Sequence, residues 1–152
     1  MSARRAEGEC IAFMKFPYKK VIDNNEPEGY IKLPMIRVRL FYEGKWDDVR
    51  CLLDTGADGC LFHDSVAKNL GIDLASGKPK TLCGVGGQPF QAFVHTIELR
   101  IHGSSERIRF EAGFTEACKF SLLGQKGFFD SYEVTFRRFK GEIEIKRRPR
   151  HH

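Results

Sequence analysis

A mainly β fold is predicted by three features of this 152-residue chain. Apolar and polar residues alternate with a period of two in several runs, the mark of strands with one face buried. Glycine- and serine-bearing turns separate those runs at short intervals. No internal repeat is visible, so one lobe is encoded rather than two related halves.

Taken in order, residues 1–29 mix charges with Pro17, Pro27, Gly29 and the polar run Asp23-Asn24-Asn25-Glu26, and sustain neither strand nor helix period. An N-terminal arm with a short strand at 12–16 is expected there. From Ile36 the pattern sharpens: Ile36, Val38, Leu40 and Tyr42 alternate with Arg37, Arg39 and Phe41, Glu43-Gly44-Lys45 turns, and 46–53 returns as the second strand of a hairpin. Asp64-Ser65 can cap a short helix carrying Val66, Ala67 and Leu70, with Gly71 as its stop. Gly84-Val85-Gly86-Gly87 then lies between Thr81-Leu82 and the run 90–101, where Ile97, Leu99 and Ile101 alternate with Glu98 and Arg100. That arrangement predicts a mobile hairpin tip on a firm base. Gly103-Ser104-Ser105 turns the chain into the alternating Ile108, Phe110, Ala112 and Phe114. A short strand at 120–123 is halted by Gly124, Val134 and Phe136 resume the sheet, and Lys140-Gly141 closes a last hairpin with Ile143 and Ile145.

The length suits one domain with a real core and no need of metal or disulfide support. Hydrophobic residues make up 41% and aromatics 12%, with thirteen phenylalanines, so an aromatic-rich interior is expected. The net charge of +5 is concentrated in Lys146, Arg147, Arg148 and Arg150; with those set aside, 21 basic and 20 acidic residues remain, a net of +1. This is read as a solvated basic tail over 146–152, not as a nucleic-acid or membrane surface. Five cysteines, at 10, 51, 60, 83 and 118, are odd in number and show no close pairing, which favours a reducing compartment. The opening residues 1–9 carry both signs of charge without an apolar stretch, so neither signal peptide nor membrane span is expected and a cytoplasmic location follows.

The most informative segment is Leu52-Leu53-Asp54-Thr55-Gly56-Ala57, where an apolar strand ends in a carboxylate followed by a hydroxyl and a glycine. Such a segment aims one ionisable oxygen at the floor of a cleft. Hydrolysis by a carboxylate pair needs two acids close together sharing one proton, because like charges so near cannot both ionise comfortably. The chain offers the constellation once, so the second acid is expected from a symmetric partner. Cys60 and His63 have the spacing of half a zinc site with no second half, and no metal or other cofactor is expected. Cys51, Cys60 and Cys83 are read as small apolar fillers, and His95 and His102 as ordinary surface or interface histidines.

Asp54-Thr55-Gly56-Ala57, the glycine-rich 84–87 and Leu122-Leu123-Gly124 together resemble the retropepsin-like aspartic proteases, in order and in spacing. The stretch Leu123-Gly124-Gln125-Lys126-Gly127-Phe128-Phe129-Asp130 is similar to the small bacterial members, and the likeness spans most of residues 30–145. It implies an acid protease barrel of one lobe per chain, a flap hairpin, and a second short helix over 125–131. It further implies a homodimeric aspartic endopeptidase acting on extended peptides, with Asp54, Thr55 and Gly56 as catalytic-loop residues. Asp54 would share a water across the dimer, and Thr55 would cross-link the two loops through its hydroxyl. Ala57, Asp58, Val85, Gly86 and Gly87 are the implied substrate contacts, and Leu53, Val85 and Leu123 the candidate pocket residues. A second reading keeps fold and dimer but assigns a peptide-binding or regulatory role with little turnover, since fold alone never proves catalysis. One departure stands out: many viral members carry after Leu-Leu-Gly an arginine that ties the dimer through an ion pair, and here Gln125-Lys126 stands instead. The arm and basic tail are also unlike the short interdigitating termini of the viral enzymes.

Overall fold

The computed structural model describes residues 3–6 and 9–149. In chain order the strands and helix are β1 (Ala3–Ala6), β2 (Glu9–Pro17), β3 (Lys19–Ile22), β4 (Tyr30–Leu33), β5 (Met35–Tyr42), β6 (Lys45–Leu53), β7 (Cys60–His63), α1 (Asp64–Asn69), β8 (Lys78–Cys83), β9 (Pro89–Ile101), β10 (Ile108–Thr115), β11 (Ser121–Leu123), β12 (Tyr132–Arg137) and β13 (Glu142–Arg147). Arg150, His151 and His152 of the expected tail lie outside the described residues.

Six strands, in the order β10-β7-β11-β6-β5-β9, close on themselves because β9 also pairs with β10. The closure rests on the length of β9: 89–94 pairs with β8, 93–99 with β10 and 98–101 with β5. Alternation decides which side chains fill the barrel. Along β5, Ile36, Val38 and Leu40 are buried while Arg37 is exposed; along β9, Ile97, Leu99 and Ile101 are buried. Phe110 and Phe114 each pack tilted against Phe62, with centroids 6.4 and 5.8 Å from it. Each fully buried ring of this kind contributes about 2 to 3 kcal/mol of transfer free energy.

A second sheet, β1-β2-β13-β12, brings the two ends of the chain together: Phe16 lies opposite Ile143 and Met14 opposite Ile145. Ile143 and Ile145 are fully buried and join the same core as the barrel residues. The strand expected at 12–16 is therefore longer, and it pairs inside its own chain. The pair β3–β4 was not expected from the sequence; its residues are half-buried or exposed on both faces, so no apolar alternation marks it. Lys146 and Arg147, assigned to the tail, belong to β13; the Arg147 guanidinium donates to Ser131 O at 2.7 Å.

Helix α1 is capped one residue earlier than expected, His63 accepting from the Ser65 N–H at 3.2 Å. The second expected helix is a single wide turn at Gln125–Phe129, with Phe129 N–H bonded to Gly124 O at 3.3 Å and Asp130 N–H to Gln125 O at 3.2 Å. Lys126 and Gly127 leave the helical region, and Phe128 anchors the turn against Tyr132, ring to ring at 4.9 Å. Among the described residues no helix is long and apolar enough to cross a membrane.

Candidate active site

Strands β6 and β11 run parallel, with Leu52 opposite Leu122 and Leu53 opposite Leu123, and both end at this level. Asp54 and Gly124 therefore leave the sheet side by side. The ladder continues past the strand ends as a strap across the loop. Asp54 N–H donates to Leu123 O at 3.0 Å, Gln125 N–H to Ala57 O at 2.8 Å and Lys126 N–H to Asp58 O at 2.7 Å. On the opposite flank Leu53 N–H donates to Pro34 O at 2.9 Å. So close an approach needs a residue without a side chain at 124, where a β carbon would come 2.6 Å from Ala57 O.

Within the loop, Asp54 folds back on its own backbone: Oδ1 accepts the Gly56 N–H at 2.9 Å, and its carbonyl accepts the Ala57 N–H at 3.2 Å. Among the described residues the second carboxylate oxygen has no partner, and the Thr55 hydroxyl has none either. Asp54 is half-buried and Thr55 exposed. The loop thus presents one aimed, partly desolvated carboxylate that can take up or give a proton, and a free hydroxyl beside it.

The glycine-rich residues sit elsewhere, on the β8–β9 hairpin, where Cys83 faces Pro89. Gly84 N–H donates to Gln88 O and Gly87 N–H to Gly84 O, both at 3.0 Å. The turn runs through positive φ at Gly86 (+99°) and Gly87 (+78°), the region open to glycine, and Val85 at the tip is wholly exposed. The structure thus gathers residues 54–58 with 123–126 and leaves Val85, Gly86 and Gly87 on a separate tip. No hydrogen bond joins the two groups among the described residues.

Two expected pocket residues are corrected. Leu53 and Leu123 are 4% and 0% exposed, because at the end of a strand the pleat turns both inward to the barrel core. His95 is buried as well: its Nε2–H donates to Leu74 O at 3.0 Å and its ring meets Phe114 edge-on. Cys51 and Cys60 are core residues whose thiols burial pushes up, Cys60 to about 11, so neither is a nucleophile at neutral pH. Cys60 and His63 belong to no cluster of three metal-binding side chains among the described residues.

Two contributors escaped the sequence reading. Pro34 supplies only a carbonyl, which leaves no trace in residue type. Gln125 was noted as a departure, yet its side chain reaches back into the loop, Nε2 donating to Thr55 O at 2.7 Å. Nothing in the sequence spacing signals a contact across 70 positions.

A family model described as aspartyl protease matches residues 37–126, which include both the Asp54 loop and its strap. Among solved structures, the chain is similar to a retropepsin-like aspartic protease from Rickettsia conorii, at 14% identity over 97% of this chain and 95% of that one, with a TM-score of 0.59. It is also similar to the EIAV protease in complex with an inhibitor, at 22% identity over 69% and 88% of the two chains, with a TM-score of 0.44. No curated protein matches the sequence. The Rickettsia likeness shows a retropepsin-like fold.

Proposed function

The chain belongs to the aspartyl protease family, and from that premise we propose that two copies assemble one peptide-hydrolysing site around their Asp54 carboxylates. The observation that carries the proposal is the single Asp54 loop of a one-lobed barrel, aimed through Gly56 and strapped by residues 123–126. One loop supplies one acid. A hydrolytic pair therefore needs a second copy, and the unpartnered Thr55 hydroxyl is placed on the loop that would meet it.

In this reading a water lies between the two Asp54 side chains. The ionised carboxylate takes its proton while the protonated one donates to the peptide carbonyl oxygen, giving a neutral tetrahedral diol. Proton transfer to the amide nitrogen then lets the C–N bond break, releasing a carboxylic acid and an amine and restoring the shared proton. No covalent intermediate arises. The 84–88 tip acts as the flap, its backbone N–H groups holding an extended peptide and its closure excluding water. Ala57, Asp58, Val85, Gly86 and Gly87 line the peptide, which is held by main-chain hydrogen bonds as an added strand.

The test is a diverse peptide library incubated from pH 4 to 7 with the protein and with Asp54→Asn. The amide oxygen of Asn keeps the Gly56 contact, so fold and self-association should persist while cleavage falls about 1,000-fold or more. Rate should rise more steeply than linearly with protein concentration wherever dimers dissociate. Cleavage that survives Asp54→Asn, or that stays strictly proportional to a monomeric protein, would remove the shared-acid mechanism.

A further inference from the structure

We infer that Gln125 is a positioning residue that sets the Asp54 carboxylate through the peptide unit joining Thr55 to Gly56. The inference rests on the proposed hydrolytic role of Asp54, and it comes from a continuous relay. The Thr55 carbonyl and the Gly56 N–H are two ends of one planar peptide. Gln125 Nε2 donates to that carbonyl at 2.7 Å, and the N–H donates to Asp54 Oδ1 at 2.9 Å.

The strap's main-chain bonds hold the loop at Asp54, Ala57 and Asp58 and make none to the 55–56 peptide, the central unit of the turn closed by the Ala57 N–H and Asp54 O. Among the described residues, only the Gln125 side chain ties its carbonyl to the strap. A fixed carbonyl fixes the plane, and the plane fixes where the Gly56 N–H points. The bond also polarises the amide, which makes its N–H a better donor to an ionised carboxylate. A neutral carboxamide performs this at any pH, whereas an acid at 125 would donate only while protonated. The charged groups around the relay are Asp54 and Asp58 on the loop, Lys126 on the strap and Asp130 in the turn after it, where its carboxylate accepts the Gly127 N–H; all are common to the variants below, so a difference between variants reports position 125.

The experiment compares the unmutated protein with Gln125→Leu, which lacks a donor, Gln125→Lys, which keeps one, and Gln125→Glu, whose donor is lost on ionisation. Two readouts are taken: peptide cleavage as kcat and KM across pH, and hydrogen exchange at the Gly56 amide. Gln125→Leu should lower kcat about tenfold with KM within about twofold, move the acid limb of the pH–rate profile upward, and speed Gly56 exchange about tenfold. Gln125→Lys should recover most of both. Gln125→Glu should behave like the parent at low pH and like Leu once its carboxyl ionises, and it serves as the folded control if Leu disrupts the loop. Unchanged Gly56 exchange in both Leu and Glu would overturn the inference. So would kcat and pH profile equal to the parent's in an active protein. If the unmutated protein cleaves nothing while Gly56 exchange still follows the donor at 125, the positioning stands and the peptidase reading falls alone.

Discussion

The α carbon of Gly124 faces the carbonyl oxygen of Ala57 so closely that a β carbon built on it would lie 2.6 Å from that oxygen, with the Gly59 carbonyl closer still. Both obstacles are backbone, so neither can swing aside. Gly124→Ala must push β11 away from the Asp54 loop, at a cost of about 3 kcal/mol. Urea unfolding should show that loss, and the Asp54 N–H to Leu123 O bond should be among those weakened in amide exchange.

Gly86 offers the opposite case. Its φ of +99° is unfavourable for an L side chain, but nothing lies within 4 Å of a β carbon there. Gly86→Ala should therefore cost only about 1 kcal/mol of strain in the hairpin, or less if the tip relaxes. Under the proposed flap role, kcat/KM should nonetheless fall about tenfold, because the tip must approach a peptide closely. A variant that loses the same small stability and keeps full activity would separate the hairpin from catalysis.

Burial raises the Cys60 thiol from about 9 to about 11. An acid whose folded pKa is raised stabilises the fold fully below its unfolded value. That contribution is lost as pH climbs from about 9 toward 11, because the unfolded chain releases the proton first. The loss amounts to about 2 to 3 kcal/mol. Alkaline urea titrations should show it, and Cys60→Ala should flatten the pH dependence over that window.

On the barrel's outer face the Arg39 guanidinium donates to both oxygens of Asp48, at 2.8 and 3.0 Å, and lies 3.7 Å over the ring of Trp46, the one tryptophan of the chain. Hydrogen bonding to Arg39 holds the Asp48 carboxyl below its ordinary value. A depressed carboxyl stabilises the fold above its unfolded pKa and loses that contribution as pH falls through the folded one. Trp46 fluorescence should therefore change in acid below the usual aspartate range, near 3.9. Arg39→Gln should abolish the change.

How far the sequence could be read depended on whether a segment had one wet face. Residues 36–42, 97–101 and 108–114 alternate because each strand has one side in the barrel, and their period was legible. β3 and β4 have no such contrast and were invisible. The short helix over 125–131 was expected through the family resemblance alone; it is present as one wide turn at Gln125–Phe129, whose shape is set by positive φ at Gly127 (+101°), and a lone glycine does not announce its sign. At the site, the Asp54 loop and Gly124 were legible as motifs. The bond from Gln125 to Thr55 was not, since it depends on the parallel register of β6 and β11, a long-range choice made by the whole barrel. His95 was misjudged for a related reason: the residue that claims its ring, Leu74, opens a single 3-10 turn 21 positions away that no periodicity marks.

That parallel pairing joins Cys51 to Ser121, so the acid and the segment that steadies it are made far apart in time as the chain is synthesised. A nascent chain that has emerged only to residue 120 already carries Asp54, but has no partner for the edge of β6 and no strap over the loop. Loop closure over so long a span is slow compared with local hairpins. The fold itself therefore leaves the Asp54 loop unstrapped until the chain has been made through residue 126.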